Sequence, residues 1–132
     1  MLEVEVLDAD LAAGRDDLPE EGEIVRLVSL AVATAGVRDG HVAIAFVDAE
    51  RIAELNLEHR GKEGPTDVLS FPIDEADDGV AGPRELGDVI ICPPHTIDIR
   101  EAIVHGALHL VGMDHEVDDG EMLAVQGEIL SW

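Results

Sequence analysis

Cysteine, lysine, aromatic residues and long apolar runs are all scarce in this chain of 132 residues. The single cysteine, Cys92, excludes a disulfide framework and any zinc site built from four cysteines. The longest apolar run, residues 28–37, is about half the roughly 20 residues that a membrane helix needs. Residues 1–10 are acidic and alternating, unlike a signal or transit peptide. We therefore expect one soluble, cytoplasmic domain over residues 1–132, with no membrane partner.

Positively charged residues are scarce as well. The chain has 8 Lys plus Arg against 30 Asp plus Glu, a formal net charge of −22, and Lys62 is its one lysine. A surface this acidic repels nucleic acid phosphates at low salt. A salty cytoplasm and a high-GC genome would each explain the composition, and the sequence does not choose between them. The hydrophobic fraction of 46% argues against disorder.

Hydrophobic periodicity predicts strands and helices in the order β-α-β-α-β-β-α-α. This order favours an α+β fold in which a mixed sheet of about four strands packs with helices. Glycine and proline predict loops at residues 59–66 and 74–85. The strands are predicted over residues 2–6, 41–47, 67–73 and 86–92, and the helices from the acidic residues 20–23 to Gly36 and over 48–58, 97–111 and 118–130.

Three of the six histidines fall within eleven residues, in the segment HGALHLVGMDH. His105 and His109 are four positions apart, so a helix places them on one face, about 40° apart. His115 lies six residues further on, and Gly112 can take the left-handed conformation that turns the chain back. Three neutral histidines that leave a fourth position open are typical of catalytic zinc sites. We therefore predict one Zn²⁺ per chain on a zincin-like helix, with His105, His109 and His115 as ligands.

The residue after the first histidine limits the chemistry of this site. Zincin proteases with the same histidine spacing carry a glutamate there as general base, whereas this chain has Gly106. Peptide hydrolysis by that route is therefore disfavoured, while phosphodiester cleavage does not need such a glutamate. Two alternatives stay open at this point: a pair of partly buried histidines without a metal, and Asp114 as either a partner of a ligand or an exposed turn carboxylate.

Two segments resemble the YbeY-type endoribonucleases, a family of bacterial rRNA maturation factors. One is LNLEHRGK, which continues through PTDVLSFP at residues 65–72; the other is HGALHLVGMDH, with the strand LGDVII before it and Glu121, Met122 and Gln126 after it. The resemblance implies a zinc-dependent, single-strand-specific endoribonuclease. Its implied roles are maturation of the 3′ end of 16S rRNA and ribosome quality control.

The resemblance also implies roles for particular residues. His105, His109 and His115 correspond to the zinc ligands, and Arg60 to a functional arginine beside the metal. A guanidinium offers a forked donor pair to phosphate oxygens, which suits this role. Lys62 is a weaker candidate for a phosphate contact. The implied partners are the single-stranded small-subunit rRNA precursor and the ribosome or its proteins, with no DNA.

This chain departs from the family pattern at several points. His59 and Met113 stand where the family usually has aromatics, so we expect weaker base stacking there. The segment between Cys92 and His105 is shorter by a dozen or more residues, which leaves residues 93–97 as a direct lead-in to the helix. We expect Cys92 to be a buried thiol at a strand end and not a ligand. Thr66 and Asp67 are expected to shape the turn into the strand.

Two rival functions are compatible with the same residues. One is a metal-dependent peptidase or other hydrolase, which the histidine spacing favours and Gly106 opposes. The other is a ribosome-assembly binding factor with a structural zinc, which the net charge of −22 favours because it opposes nonspecific RNA capture.

Overall fold

The computed structural model describes residues 2–12, 14–16, 18–36, 40–72, 85–112 and 121–131. Within these ranges four strands and four α-helices follow the predicted order, and the α+β prediction is confirmed. Short 3-10 helices lie at Ala9–Ala12 and Pro93–His95. The strands are β1 (Leu2–Leu7), β2 (Gly40–Phe46), β3 (Val68–Pro72) and β4 (Glu85–Ile91), and the helices are α1 (Glu21–Ala33), α2 (Ala49–Arg60), α3 (Ile99–Leu110) and α4 (Glu121–Ser131).

The four strands form one mixed sheet in the order β1-β2-β4-β3. The β1–β2 and β2–β4 pairs are parallel, and β3 runs antiparallel to β4. β3 is therefore an edge strand, a position that tolerates the missing N–H of Pro72. The free edge of β3 is the part of the sheet on which the candidate site lies.

The two faces of the sheet carry apolar clusters of different size. The main cluster joins α1, α3 and α4 to the face that bears Val42, Ile44 and Val89. A smaller cluster of Ile52, Leu69 and Cys92 joins α2 to the β3–β4 edge. α3 is the central helix, because it contacts α1, α4, β3 and β4. Side chains on α3 are consequently held from several directions.

α2 is longer than predicted. It continues to Arg60, and Gly61 ends it with a left-handed backbone, φ 68°, while its N–H donates to the carbonyls of Asn56 and Leu57. The prediction that the loop begins at His59 is therefore wrong, because glycine and not the polar residues before it supplies the helix stop. Asp48 caps the other end as predicted, accepting a hydrogen bond from the Arg51 N–H at 2.8 Å.

α3 begins two residues later than predicted. A 3-10 turn occupies Pro93–His95, and the Asp98 carboxylate then accepts the Glu101 N–H at 3.2 Å as the helix cap. The Thr96 hydroxyl donates to the Cys92 carbonyl at 2.7 Å, which closes this turn. The predicted direct lead-in from β4 to α3 is confirmed. Two other predictions fall largely outside the described residues. One is the connection at 74–85, of which Glu85 is described and belongs to β4, and the other is the first three residues of a helix at 118–130.

In the parts of the chain that the structure describes, no helix is both long and apolar enough to cross a bilayer.

Candidate active site

A cavity of about 820 Å³ follows the free edge of β3 between the end of α2 and α3. It brings together the residues of the two sequence segments that carry the family resemblance. The lead-in to α3 forms another part of its wall. Its lining residues are His59, Arg60, Thr66, Asp67, Val68, Leu69, Ser70, Phe71, His95, Thr96, Ile97, Asp98, Glu101, Ala102, His105 and His109.

The predicted histidine pair lies on the cavity side of α3. The Nε2 atoms of His105 and His109 are 3.2 Å apart, and both rings are half-buried. Two nitrogens on one zinc ion, each at about 2.0–2.1 Å in tetrahedral geometry, would lie about 3.3 Å apart. The observed separation therefore matches two ligands of one metal ion.

Gln126 sets the orientation and the tautomer of His105. His105 Nδ1 lies 2.8 Å from Gln126 Oε1, and an amide oxygen only accepts. Nδ1 therefore carries the proton, so Nε2 presents a lone pair towards the cavity. Our sequence reasoning assigned Gln126 no role, although one signal existed. It is a polar residue in the buried stripe of α4, where Met122, Gln126 and Ile129 are at most 7% exposed.

The third predicted ligand, His115, lies outside the described residues, as do Met113 and Asp114. The structure reaches Gly112, whose φ of 96° confirms the predicted left-handed turn after α3. Among the described residues no three His, Cys, Asp or Glu side chains form a group that holds a metal. The described part of the site thus supplies two imidazole nitrogens at the separation that two ligands of one metal ion would have.

Arg60 is the last residue of α2 and lines the cavity with an exposed side chain. Gly61 ends the helix directly after Arg60, which fixes the backbone position from which the Arg60 side chain extends. Lys62 is exposed two residues later and is not among the lining residues. The structure therefore brings Arg60 into the same cavity as His105 and His109, and leaves Lys62 on the loop beyond it.

The glycine after the first histidine is required by packing. A Cβ on Gly106 would clash with Val89 Cγ1 of the sheet and would lie 3.2 Å from the Ser70 hydroxyl oxygen. The Ser70 hydroxyl also donates to the Gly106 carbonyl at 2.9 Å. α3 approaches the sheet too closely at this point for any larger residue, so no glutamate fits at position 106.

The ring of His59 packs against Phe71 at the cavity. Their centroids are 4.8 Å apart and their planes are inclined at 62°. Phe71 is half-buried against the cluster of Ile52 and Leu69, whereas His59 is exposed. Sequence reasoning missed Phe71, because nothing local indicates that this strand residue meets the end of α2.

Hydrogen bonds from distant parts of the chain hold the cavity wall formed by the lead-in. Arg15 donates to the carbonyls of Pro93 at 2.6 Å and Ile97 at 3.1 Å. Cys92 N donates to the Asp67 carbonyl at 2.8 Å, which ties the lead-in to the start of β3. The wall segment that carries His95 is therefore fixed despite its short length.

Asp67 shapes the entry to β3 as predicted. Its carboxylate accepts hydrogen bonds from the Val68 N–H at 2.8 Å and the Thr66 hydroxyl at 3.2 Å. Both Thr66 and Asp67 also line the cavity. With Asp98 and Glu101, the cavity thus has three carboxylates beside Arg60, a charge balance that favours a bound cation.

Cys92 is fully buried behind the lead-in and is not among the lining residues, as predicted. Burial raises the pKa of the thiol, and the Asp48 carboxylate raises this pKa further, against a lowering by the hydrogen bond from the His95 backbone. A buried thiol of this kind is a poor metal ligand, because ligation needs the thiolate.

Comparison with known proteins gives the family. Residues 20–131 match the family model described as Endoribonuclease YbeY. The Endoribonuclease YbeY of Bacillus cytotoxicus is 41% identical over 128 aligned positions, which cover 81% of this chain and 82% of that protein. The protein of the same name from Rubrobacter xylanophilus is 38% identical and covers 96% of this chain and 93% of its own length.

A third relative, the Endoribonuclease YbeY of Corynebacterium efficiens, is 36% identical and covers 90% of this chain and 70% of that protein. This alignment has 141 positions, more than the 132 residues here, so that relative contains residues that this chain lacks. Fold, cavity and relatives together define a hydrolase of the nuclease class. The chain belongs to the Endoribonuclease YbeY family, whose members are generally metal-dependent.

Proposed function

We propose that this protein is a zinc-dependent, single-strand-specific endoribonuclease that trims the 3′ end of 16S rRNA and serves ribosome quality control in the cytoplasm. The proposal assigns one Zn²⁺ to His105, His109 and His115, and phosphate binding to Arg60. The observation that carries it is the 3.2 Å separation of two ligand nitrogens, in one cavity with an arginine.

The two histidine rings already have the spacing that a shared cation would need. With the His105 proton on Nδ1, His105 Nε2 accepts in the 3.2 Å contact and His109 Nε2 donates. A metal held by both Nε2 atoms would require His109 to carry its proton on Nδ1 instead, so that both lone pairs face the ion. A metal bound there supplies Lewis-acid polarisation of a phosphate and activation of water. Zinc suits imidazole ligands, and the proposed third ligand, His115, would also bind through an imidazole.

Arg60 would bind the scissile phosphate and stabilise the charge that develops on it. A guanidinium donates two parallel hydrogen bonds to phosphate oxygens, which fixes the phosphate as well as attracting it. Glu101 and Asp98 oppose this attraction from α3. The phosphate is therefore best placed between the arginine and the histidine pair, where the cation offsets those carboxylates.

The recessed position of the two histidines supports the proposed preference for single strands. The His105 and His109 rings are half-buried in the cavity, so the scissile phosphate must enter it. A flexible single strand can turn one phosphate and its neighbours inwards, whereas an A-form duplex holds its backbone at a fixed radius. Duplex RNA is therefore expected to be a poor substrate.

Two nucleophiles remain compatible with this site. Attack by water leaves a linear phosphate on one product, whereas attack by the RNA 2′-hydroxyl leaves a 2′,3′-cyclic phosphate. Chemical analysis of the product ends distinguishes these two routes.

The testing experiment compares the wild type with His109→Ala and Arg60→Ala, and with His41→Ala as a control that also removes a histidine. His41 pairs with Glu5 on the sheet at 3.3 Å and does not line the cavity. Zinc content is measured by elemental analysis, and each protein is incubated with a single-stranded and a duplex RNA over a salt series. We expect about one zinc per chain in the wild type, His41→Ala and Arg60→Ala, and a clear loss in His109→Ala.

The cleavage results decide the function. The proposal requires that wild type and His41→Ala cut only the single strand and that both site variants fail. If zinc is bound but no RNA is cut at any salt, the ribosome-assembly factor with a structural zinc becomes the better explanation. That rival is favoured by the net charge of −22, which opposes RNA capture. A peptidase of the zincin type is opposed by the contact that excludes a glutamate at Gly106.

A further inference from the structure

An exposed ring is held in place at one end of the cavity. His59 lies on the last turn of α2, beside Arg60, and its ring meets the ring of Phe71 at a centroid distance of 4.8 Å. The inclination of 62° makes this an edge contact. An edge contact leaves ring faces that a further planar group can cover.

Phe71 anchors the pair. It packs against the apolar cluster that contains Ile52, Leu69 and Cys92, all at most 3% exposed. Its position on β3 is set by pairing with β4, where it lies opposite Asp88. His59 is attached to a helix whose end is fixed by Gly61. Both rings are therefore supported by regular secondary structure, so little order has to be gained on binding.

Because the chain has so few aromatic residues, the position of Phe71 at the cavity suggests a function beyond core packing. The chain has 2 Phe, 1 Trp and no Tyr. Phe46 is fully buried in the main core, and Phe71 is the phenylalanine that lines the candidate site. Packing of the apolar core alone does not explain why the exposed imidazole of His59 contacts Phe71 at the cavity.

We propose that the His59 ring, supported by Phe71, is a stacking site for one nucleobase, adjacent to the phosphate site at Arg60. The inference rests on the proposed RNA substrate and adds a base subsite to it. Neighbouring residues 59 and 60 would then bind two parts of one nucleotide step, the base by stacking and the phosphate by paired hydrogen bonds. Stacking tolerates any base, so the site would add affinity for unpaired RNA with little sequence preference.

The proposed subsite departs from an expectation from the sequence, which stays a prediction. A histidine in place of an aromatic before Arg60 was expected to weaken stacking. The imidazole is itself a planar ring, and its edge contact with Phe71 would hold it in place as a surface for stacking. A duplex cannot use the site, because its bases are already stacked on both faces.

The test measures binding to the zinc-loaded protein by fluorescence anisotropy directly after mixing, before cleavage proceeds. The probes are a short single-stranded RNA and a strand of the same length in which every nucleotide is abasic, so that no register of binding places a base in the site. The variants are His59→Ala, His59→Phe and, as the matched control, Leu57→Ala. Leu57 is 55% exposed on the same helix and does not line the cavity.

We expect His59→Ala to weaken binding of the intact RNA about tenfold, within the range for loss of one stacked base. His59→Phe should restore binding, and Leu57→Ala should leave it unchanged. The loss in His59→Ala should disappear for the fully abasic strand, which has no base to stack. Thermal melting of each variant checks that the fold is kept.

Two results overturn the inference in different ways. If His59→Ala weakens the intact and the abasic strand equally, or neither, while the zinc-loaded wild type binds and cuts single strands, the base subsite is wrong and the proposed function stands. If the zinc-loaded wild type neither binds nor cuts single-stranded RNA at any salt, the proposed function fails and takes the subsite with it.

Discussion

Gln126 on α4 accepts a hydrogen bond from His105 Nδ1 on α3 at 2.8 Å, and so determines which nitrogen of that histidine faces the cavity. Gln126 is 7% exposed, and its partner is fixed by the packing of two helices. Histidine ligands commonly depend on such an acceptor for their orientation and basicity.

We predict that Gln126→Leu lowers zinc affinity about 10–100-fold, because His105 loses the hydrogen bond that keeps its proton on Nδ1. Gln126→Glu retains an acceptor and should bind zinc at least as well as the wild type. Zinc affinity is measured by competition with a chromophoric chelator. Leucine keeps the apolar burial of position 126, so thermal melting without metal serves as the control for folding. Equal zinc affinity in the leucine variant and the wild type would show that this contact is only structural.

Replacing Gly106 by alanine should lower the free energy of unfolding, whereas the same substitution at Gly127 should raise it. Gly106→Ala forces a Cβ into Val89 and should lower the free energy of unfolding by about 1–3 kcal/mol. Gly127→Ala is the matched control, because no heavy atom from another element of the described chain lies within 4 Å of a Cβ there and the residue is exposed on α4. It should raise stability by about 0.5–1 kcal/mol. Urea unfolding of the two variants measures both values, and a neutral Gly106→Ala would contradict the close approach of α3 to the sheet.

The sequence predicted the features that depend on local spacing. The i, i+4 pair of His105 and His109, the turn at Gly112 and the Asp48 cap all follow from residues within one or two helical turns. The role of Gln126 and the contact of His59 with Phe71 needed the fold, because they join residues from elements far apart in the chain. The same reason explains why Gly106 was interpreted as a missing base, whereas the structure shows it as a packing requirement set by Val89.

Glu101 gives a prediction about the balance of charge in the cavity. It lies one helical turn before His105 on α3 and lines the same cavity as His105 and Arg60. Its negative charge favours a cation and opposes a phosphate. Glu101→Gln should therefore weaken zinc binding and strengthen binding of single-stranded RNA at low salt, each by about 2–5-fold. Chelator competition and fluorescence anisotropy measure the two affinities, and Glu50→Gln, on an exposed part of α2 away from the cavity, is the charge-matched control. Changes in the same direction would show that the substitution disturbs the cavity as a whole.

An ion-pair cluster between α1 and α3 makes stability depend on pH. Glu23 accepts from Arg26 at 2.7 Å and from Arg100 at 3.2 Å. The hydrogen bond from Arg26 is the largest cause that lowers the pKa of Glu23 in the folded protein, and the charges of both arginines add to it. A carboxylate with a lowered folded pKa stabilises the fold above its unfolded pKa, and this contribution is lost as the pH falls through the folded value.

Glu23→Gln should therefore lower the melting temperature at pH 7 by a small amount, since the cluster is solvent-exposed. The difference from the wild type should shrink as the pH falls through the lowered folded pKa of Glu23, and vanish once Glu23 is protonated in the wild type as well. Melting curves from pH 7 down to about pH 3 measure the effect. Glu21→Gln on the first turn of the same helix separates the ion pairs from a general effect of charge near the helix start. A difference that persists unchanged at the lowest pH would mean that the carboxylate charge is not its cause.

The net charge of −22 gives a prediction about salt. An RNA phosphate must approach an acidic surface before it reaches Arg60, and this repulsion extends about 30 Å at 0.01 M salt but about 3 Å at 1 M. Cleavage of a single strand should therefore rise as salt is raised, the reverse of proteins that bind nucleic acid through a basic surface. The rate is measured at subsaturating RNA in a salt series, with zinc content determined at each point so that metal loss is excluded. A steady fall in rate with salt, at constant zinc content, would mean that local contacts such as Arg60 dominate the encounter and that the acidic surface does not limit it.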